Sequence, residues 1–142
     1  MKILLVEDDR DVEMAVRGTL RMNGFFTESV SDLGDVEELI EKSDFFPDLV
    51  ILDPFSDYTF AMYHNQPDEI QSLIKRSLEK IFQLDSSIKV IISSAWDWNI
   101  EEIKKGFPDA KILFHSKCWE DSVKKLLELV HAQSRLSRQL SA

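Results

Sequence analysis

Four short runs of uninterrupted apolar residues, Ile3–Val6, Leu49–Leu52, Val90–Ile92 and Ile112–Phe114, punctuate the chain, each bounded by polar residues. A run this short, rich in Ile, Val and Leu and lacking polar alternation, reads as a strand covered on both faces. Phe25–Val30 alternates more and suits an edge strand. Between the runs the apolar spacing changes to the helical period. Val12, Ala15, Val16 and Leu20 follow a cluster of acids and precede Gly24, a helix stop. Val36, Leu39 and Ile40 mark a second helix, and Ile70, Leu73, Ile74, Leu78, Ile81 and Phe82 a third with Pro67 near its first turn. Ile100 and Ile103 mark a short fourth ending at Gly106, and Val123, Leu126, Leu127 and Val130 a fifth. Strand and helix thus alternate fivefold, which predicts an α/β fold with a parallel sheet, helices on both faces and right-handed crossovers.

At 142 residues there is enough chain for one core and not for two. With 26 acidic against 17 basic residues the net charge is −9, which repels a phosphate backbone and argues against direct nucleic-acid binding. The single cysteine, Cys118, leaves no internal disulfide and no thiolate zinc site, and His64, His115 and His131 are too scattered to read as metal ligands. The four apolar residues ahead of Glu7 are too few for a signal peptide or a membrane span. A cytoplasmic protein without membrane insertion is the expectation.

Parallel sheets bind ligands outside the carboxyl ends of their strands. At those ends lie Glu7 and Asp8 after the first strand, Asp53 after the third, Ser93 and Ser94 after the fourth, and Lys117 after the fifth. Carboxylates from two strand ends form a negative pocket that invites a divalent cation. Mg²⁺ takes oxygen ligands, commonly one or two carboxylates with phosphate oxygens and water, which Asp8 and Asp53 could supply, with Glu7 acting through a bridging water. Asp9 is better placed to cap the first helix. The cation relieves carboxylate repulsion and keeps Asp53 ionised as a nucleophile. The set suits phosphoryl transfer to Asp53, with Lys117 and a serine hydroxyl compensating charge on the transferred group. An ammonium about 4 Å from an oxyanion is worth about 4 kcal/mol at an effective dielectric of about 20, before desolvation is subtracted.

On these residues the chain resembles the receiver domains of two-component response regulators (the CheY-like superfamily), over residues 1–131, with 132–142 a C-terminal helical extension or frayed tail. The resemblance implies a flavodoxin-like three-layer α/β/α sandwich with strand order 2-1-3-4-5, an order that belongs to the family and is not encoded in the apolar pattern. It implies that Asp53 is the phosphoacceptor, that Glu7, Asp8, Asp53 and the backbone carbonyl of Phe55 hold Mg²⁺, and that Lys117 and Ser94 assist. Ser94, before Ala95, is chosen over Ser93 by this likeness alone, and Ser94 with Phe114 would form the switch. The implied partners are a sensor histidine kinase or phosphotransfer protein and a downstream protein or output domain. Such a receiver catalyses its own modification and is not a conventional enzyme.

Two departures stand out. Receivers pass from phosphoacceptor to hydroxyl residue in roughly thirty residues, whereas here Pro54 follows Asp53 and Ser94 lies about forty residues on, beyond an aromatic loop at 54–66. Lys117 is followed by Cys118 where receivers carry proline, often through a cis bond. They motivate a second reading, a receiver-like module that docks partners without phosphorylation. A haloacid-dehalogenase-type phosphatase would need an aspartate where Phe55 stands, and a nucleotide carrier would need a phosphate loop where Glu7-Asp8-Asp9 stands. Trp96 and Trp98 are either signalling-surface or packing residues, and the rings of 55–63 are a lid, a contact surface or packing on the third helix. Leu126, Leu129, Leu136 and Leu140 fall at helical spacings that fit either a homodimer seam or a lead into an output domain, in a stand-alone receiver or part of a longer protein.

Overall fold

The computed structural model describes residues 1–32, 34–36, 38–39, 45–54, 67–95 and 99–141, with side chains described for all of these except 67–70, 73 and 137–141. Five strands, β1 (Lys2–Val6), β2 (Phe26–Val30), β3 (Leu49–Leu52), β4 (Lys89–Ser94) and β5 (Ile112–Ser116), form one parallel sheet in the order β2-β1-β3-β4-β5. The helices that cover it include α1 (Arg10–Met22), α2 (Pro67–Leu84), α3 (Ile100–Lys105) and α4 (Ser122–Ser141). Asp35, Val36, Glu38 and Leu39 are also helical where the second helix is predicted, and Val36 is buried.

Alternate residues of each strand enter two cores. Ile3, Leu5, Ile51 and Ile91 meet Val16 and Leu20 of α1 and Leu126 and Val130 of α4. Leu4, Val6, Leu52 and Ile92 meet Ile74, Leu78 and Ile81 of α2 and Ile103 of α3. Burying each such side chain contributes about 1.5–3 kcal/mol, so the continuous apolar runs are what three layers require. Helix ends follow local chemistry. Asp9 caps α1 by accepting from Asp11 N at 3.0 Å and Val12 N at 3.2 Å, and Gly24 takes φ +85° where the chain leaves it. Asn99 caps α3 by accepting from Glu102 N at 3.2 Å.

β4 and β5 run past their predicted apolar ends, taking in Ser93, Ser94, His115 and Ser116, all buried. These polar residues tolerate burial because the ladder continues through Ser93↔His115 and Ser94↔Ser116, and the Ser93 and His115 side chains pair with each other. The last helix continues beyond residue 131 to Ser141, with Gln133 and Ser134 buried and Leu136 exposed. Among the described residues no helix is long and apolar enough to cross a membrane.

Candidate functional site

Register aligns the strand ends. Val6 pairs with Leu52, Leu52 with Ile92, and Ile92 with Phe114, so Glu7, Asp53, Ser93 and His115 follow in one row across the carboxyl edge. Asp53 N donates to Val6 O at 3.0 Å, and Glu7 N to Val30 O at 3.0 Å, carrying the ladder to the edge itself. Carboxylate oxygens of Glu7, Asp8 and Asp53 lie within 4.8 Å of one another. The Asp53 side chain is 10% exposed and that of Glu7 3%. Pro54, beside Asp53, is half-buried.

Lys117 comes to this cluster from the far side of the row. Its Nζ donates to Glu7 Oε2 at 2.5 Å and to Asp53 Oδ2 at 2.6 Å. The lysine thus points at Asp53 with a trans peptide bond ahead of Cys118, no cis bond being found among the described residues. Its approach is set by the backbone: Lys117 N donates to Ser94 O at 2.9 Å, and Cys118 N to Ser116 Oγ at 3.2 Å, a bond that proline could not make.

Burial raises the Glu7 carboxyl from 4.5 to about 7; the nearby Asp53 charge adds to this and Lys117 opposes it. For Lys117 burial acts downward but is outweighed by Asp53 and Glu7, and the ammonium is held above its ordinary 10.5. The two directions agree physically: one ammonium shared by the buried Glu7 and the half-buried Asp53 stays charged, while burial favours the protonated form of Glu7. Three carboxylates against one ammonium leave an excess of negative charge, on oxygen donors only. That donor set fits a hard divalent cation such as Mg²⁺.

Ser94 is fully buried and shares its sheet face with Ile92, whereas Ser93 shares the face of Ile91 and Asp53. Phe114 is half-buried against the same core as Ile92, with its ring edge-on to Trp119 at 6.2 Å. The hydroxyl of Ser93 is committed to His115 Nδ1 at 2.8 Å. Phe55, the loop 55–66, Trp96 and Trp98 lie outside the described residues.

Ser93, His115 and Ser122 belong to this edge, although the apolar pattern assigns them no role beyond the choice between two serines. A signal existed: aligning Val90–Ile92 with Ile112–Phe114 puts Ser93 opposite His115.

No protein-family model matches the chain, and no curated protein matches it. Solved structures do. The receiver domain of Francisella response regulator 1452 is 20% identical with a TM-score of 0.66, the match covering 96% of this chain and 98% of that one. HP1043, an orphan response regulator of H. pylori, is 24% identical with a TM-score of 0.62, covering 93% and 94%. The fold is that of a response-regulator receiver domain. NtrX from Brucella abortus is 24% identical with a TM-score of 0.63, and the match takes in 99% of this chain but spans only 29% of NtrX. Within the receiver fold the described carboxylates and Lys117 occupy the carboxyl edge of the sheet, where the strand order turns back between β1 and β3.

Proposed function

We propose that the chain is a phosphoaccepting receiver, in which Asp53 takes a phosphoryl group from the phosphohistidine of a sensor histidine kinase or phosphotransfer protein. The observation that carries this reading is the Lys117 ammonium bridging Glu7 and Asp53 at the carboxyl edge of a receiver fold. Asp53 Oδ attacks phosphorus in line, a P–O bond forms as the P–N bond of the donor breaks, and the departing imidazole keeps the electron pair. Lys117 then turns from the free carboxylate to an oxygen of the bound phosphoryl group and keeps its contact with Glu7. Glu7, Asp8 and Asp53, with the carbonyl of Phe55, would hold Mg²⁺, which supplies charge neutralisation for the transferred group. Ser94 and Phe114, on one face of β4 and β5, form the switch that reports the new charge. The commitment of the Ser93 hydroxyl to His115 supports assigning this role to Ser94.

The output is a protein–protein contact with a downstream protein or output domain, in the cytoplasm, and the chemistry is confined to the chain's own modification. Incubation with a small phosphodonor and Mg²⁺, followed by intact mass, tests this. One phosphoryl group is expected on the wild type and none on Asp53→Asn. Failure of the wild type to gain it, or gain by Asp53→Asn, contradicts the reading. The small exposure of Asp53 favours one rival, a docking module in which the Lys117–Asp53 bridge stays closed. In that case Asp53→Asn leaves partner binding unchanged.

A further inference from the structure

The row of edge residues continues beyond the carboxylates into a chain of hydrogen bonds that the phosphoryl chemistry does not use. Ser93 Oγ lies 2.8 Å from His115 Nδ1, and His115 Nε2 lies 2.7 Å from the backbone oxygen of Ser122. A carbonyl oxygen only accepts, so Nε2 carries a proton. With the ring neutral, Nδ1 is then an acceptor and the Ser93 hydroxyl donates to it. Burial lowers the His115 pKa and the Lys117 charge adds to this; the Ser122 carbonyl opposes them without reversing the direction, which is that of a neutral ring. His115 is 2% exposed, and Trp119 packs edge-on to it with centroids 5.5 Å apart. The ring has one orientation and one tautomer.

Residues 117–121 join β5 to α4, and this turn carries Lys117. The turn includes Asp121 at φ 55°, a left-handed backbone uncommon outside glycine and tolerated better by aspartate than by most residues. His115 ties the turn's far end, Ser122, back to β4 through Ser93, and Lys117 N ties its near end to Ser94 O. From this geometry we infer that His115 is a positioning residue for Lys117: the Ser93–His115–Ser122 chain closes the 117–121 turn and thereby aims the ammonium at Glu7 and Asp53. Its consequence for phosphoryl transfer rests on the function proposed above; the positioning itself does not.

The test reads Lys117 directly. In the ¹⁵N-labelled protein, a hydrogen-bonded ammonium exchanges slowly with water, and its signal is assigned by its loss in Lys117→Ala. His115→Leu removes both bonds and is expected to speed that exchange about fivefold to tenfold, the equivalent of one lost hydrogen bond. His115→Gln, which can still donate to Ser122 O, is expected to stay within about twofold of wild type. A merely structural role would instead make exchange follow the Tm of the two variants. Wild-type exchange in His115→Leu, or equal acceleration in both variants, overturns the proposal.

Should His115→Leu fail to fold, two measurements still decide. Long-range ¹H–¹⁵N correlation in the wild type must show His115 protonated at Nε2 alone; the other tautomer or an imidazolium at neutral pH contradicts the chain of bonds. Ser93→Ala must speed ammonium exchange about twofold to threefold, and no change contradicts it. Phosphorylation is measured on the same samples. If the wild type accepts no phosphoryl group, the functional reading falls while the ammonium signal still decides the role of His115.

Discussion

The turns after β1 and after β5 stand at the same edge of the sheet, bring side chains of opposite charge to the site and are held by different means. The first, Glu7-Asp8-Asp9, starts from the ladder bond of Glu7 N to Val30 O and is closed by near neighbours: Asp9 N donates to Glu7 Oε1 at 3.2 Å, and Asp9 caps α1 through Asp11 and Val12. The second, Lys117 to Asp121, leans on partners from elsewhere in the chain, with Ser94 O taking Lys117 N and Ala95 O taking Cys118 Sγ at 3.4 Å. His115, tied to Ser93, fastens its far end. The Asp9 end of the first turn is therefore held by local bonds, Glu7 and Asp53 by the pairing of β1 with β2 and β3, and the ammonium by the alignment of β4 with β5. Substitutions far from the site in sequence should disturb the second turn more than the first.

The largest effect is expected at the second turn itself. Lys117→Ala should slow phosphoryl uptake from a small donor about a hundredfold, the scale of losing one donor to developing charge. It should also cost about 2–4 kcal/mol in urea unfolding, because the buried Glu7 and the half-buried Asp53 lose their cation. Unchanged uptake would show that the second turn contributes nothing to the chemistry.

The first turn should respond to pH. Glu7 binds its proton more tightly when folded, at about 7 against an ordinary 4.5, so the native state holds more protons than the unfolded chain between those values. The resulting stability is fully present below about 4.5 and is lost as pH rises through about 7. Without added metal, the melting temperature of the wild type should carry a component that falls between these pH values, which Glu7→Gln removes. Mg²⁺ should restore stability at the alkaline end, since a cation favours the ionised carboxyl. A pH profile unchanged by Glu7→Gln would refute the assignment.

Smaller effects separate the two turns. Asp9→Ala should cost about 1 kcal/mol of stability through the lost cap while leaving the Lys117 ammonium exchange as in the wild type. If that exchange accelerates, the turns are not independently held. Asp121→Gly should change stability by only about 0.5–1 kcal/mol, in the stabilising direction, by relieving the left-handed residue. A loss of stability would mean that the Asp121 side chain, and not its backbone, holds the turn.

What can be read in the sequence follows the same division. Ile3–Val6 and Leu49–Leu52 announce two strands because both faces are covered, and Asp9 announces a helix start because its cap acts over three residues. The ends of β4 and β5 are harder. Ser93, Ser94, His115 and Ser116 are polar, so the apolar pattern stops before the strands do, and only pairing across the ladder shows that they belong. The carboxylate cluster is legible from topology. The aim of Lys117 is not, since it depends on bonds to Ser94 and through His115 that no local pattern encodes.

The central claim is that Asp53, and no other carboxylate of the cluster, accepts the phosphoryl group. Borohydride reduces an acyl phosphate to the alcohol, so treating the phosphorylated protein and sequencing its peptides by tandem mass spectrometry marks the acceptor as homoserine. Homoserine at position 53, dependent on Mg²⁺ and formed far more slowly in Lys117→Ala, is the predicted result. Homoserine from Asp8 in place of Asp53, or an acceptor outside the Glu7–Asp8–Asp53 cluster, would contradict it.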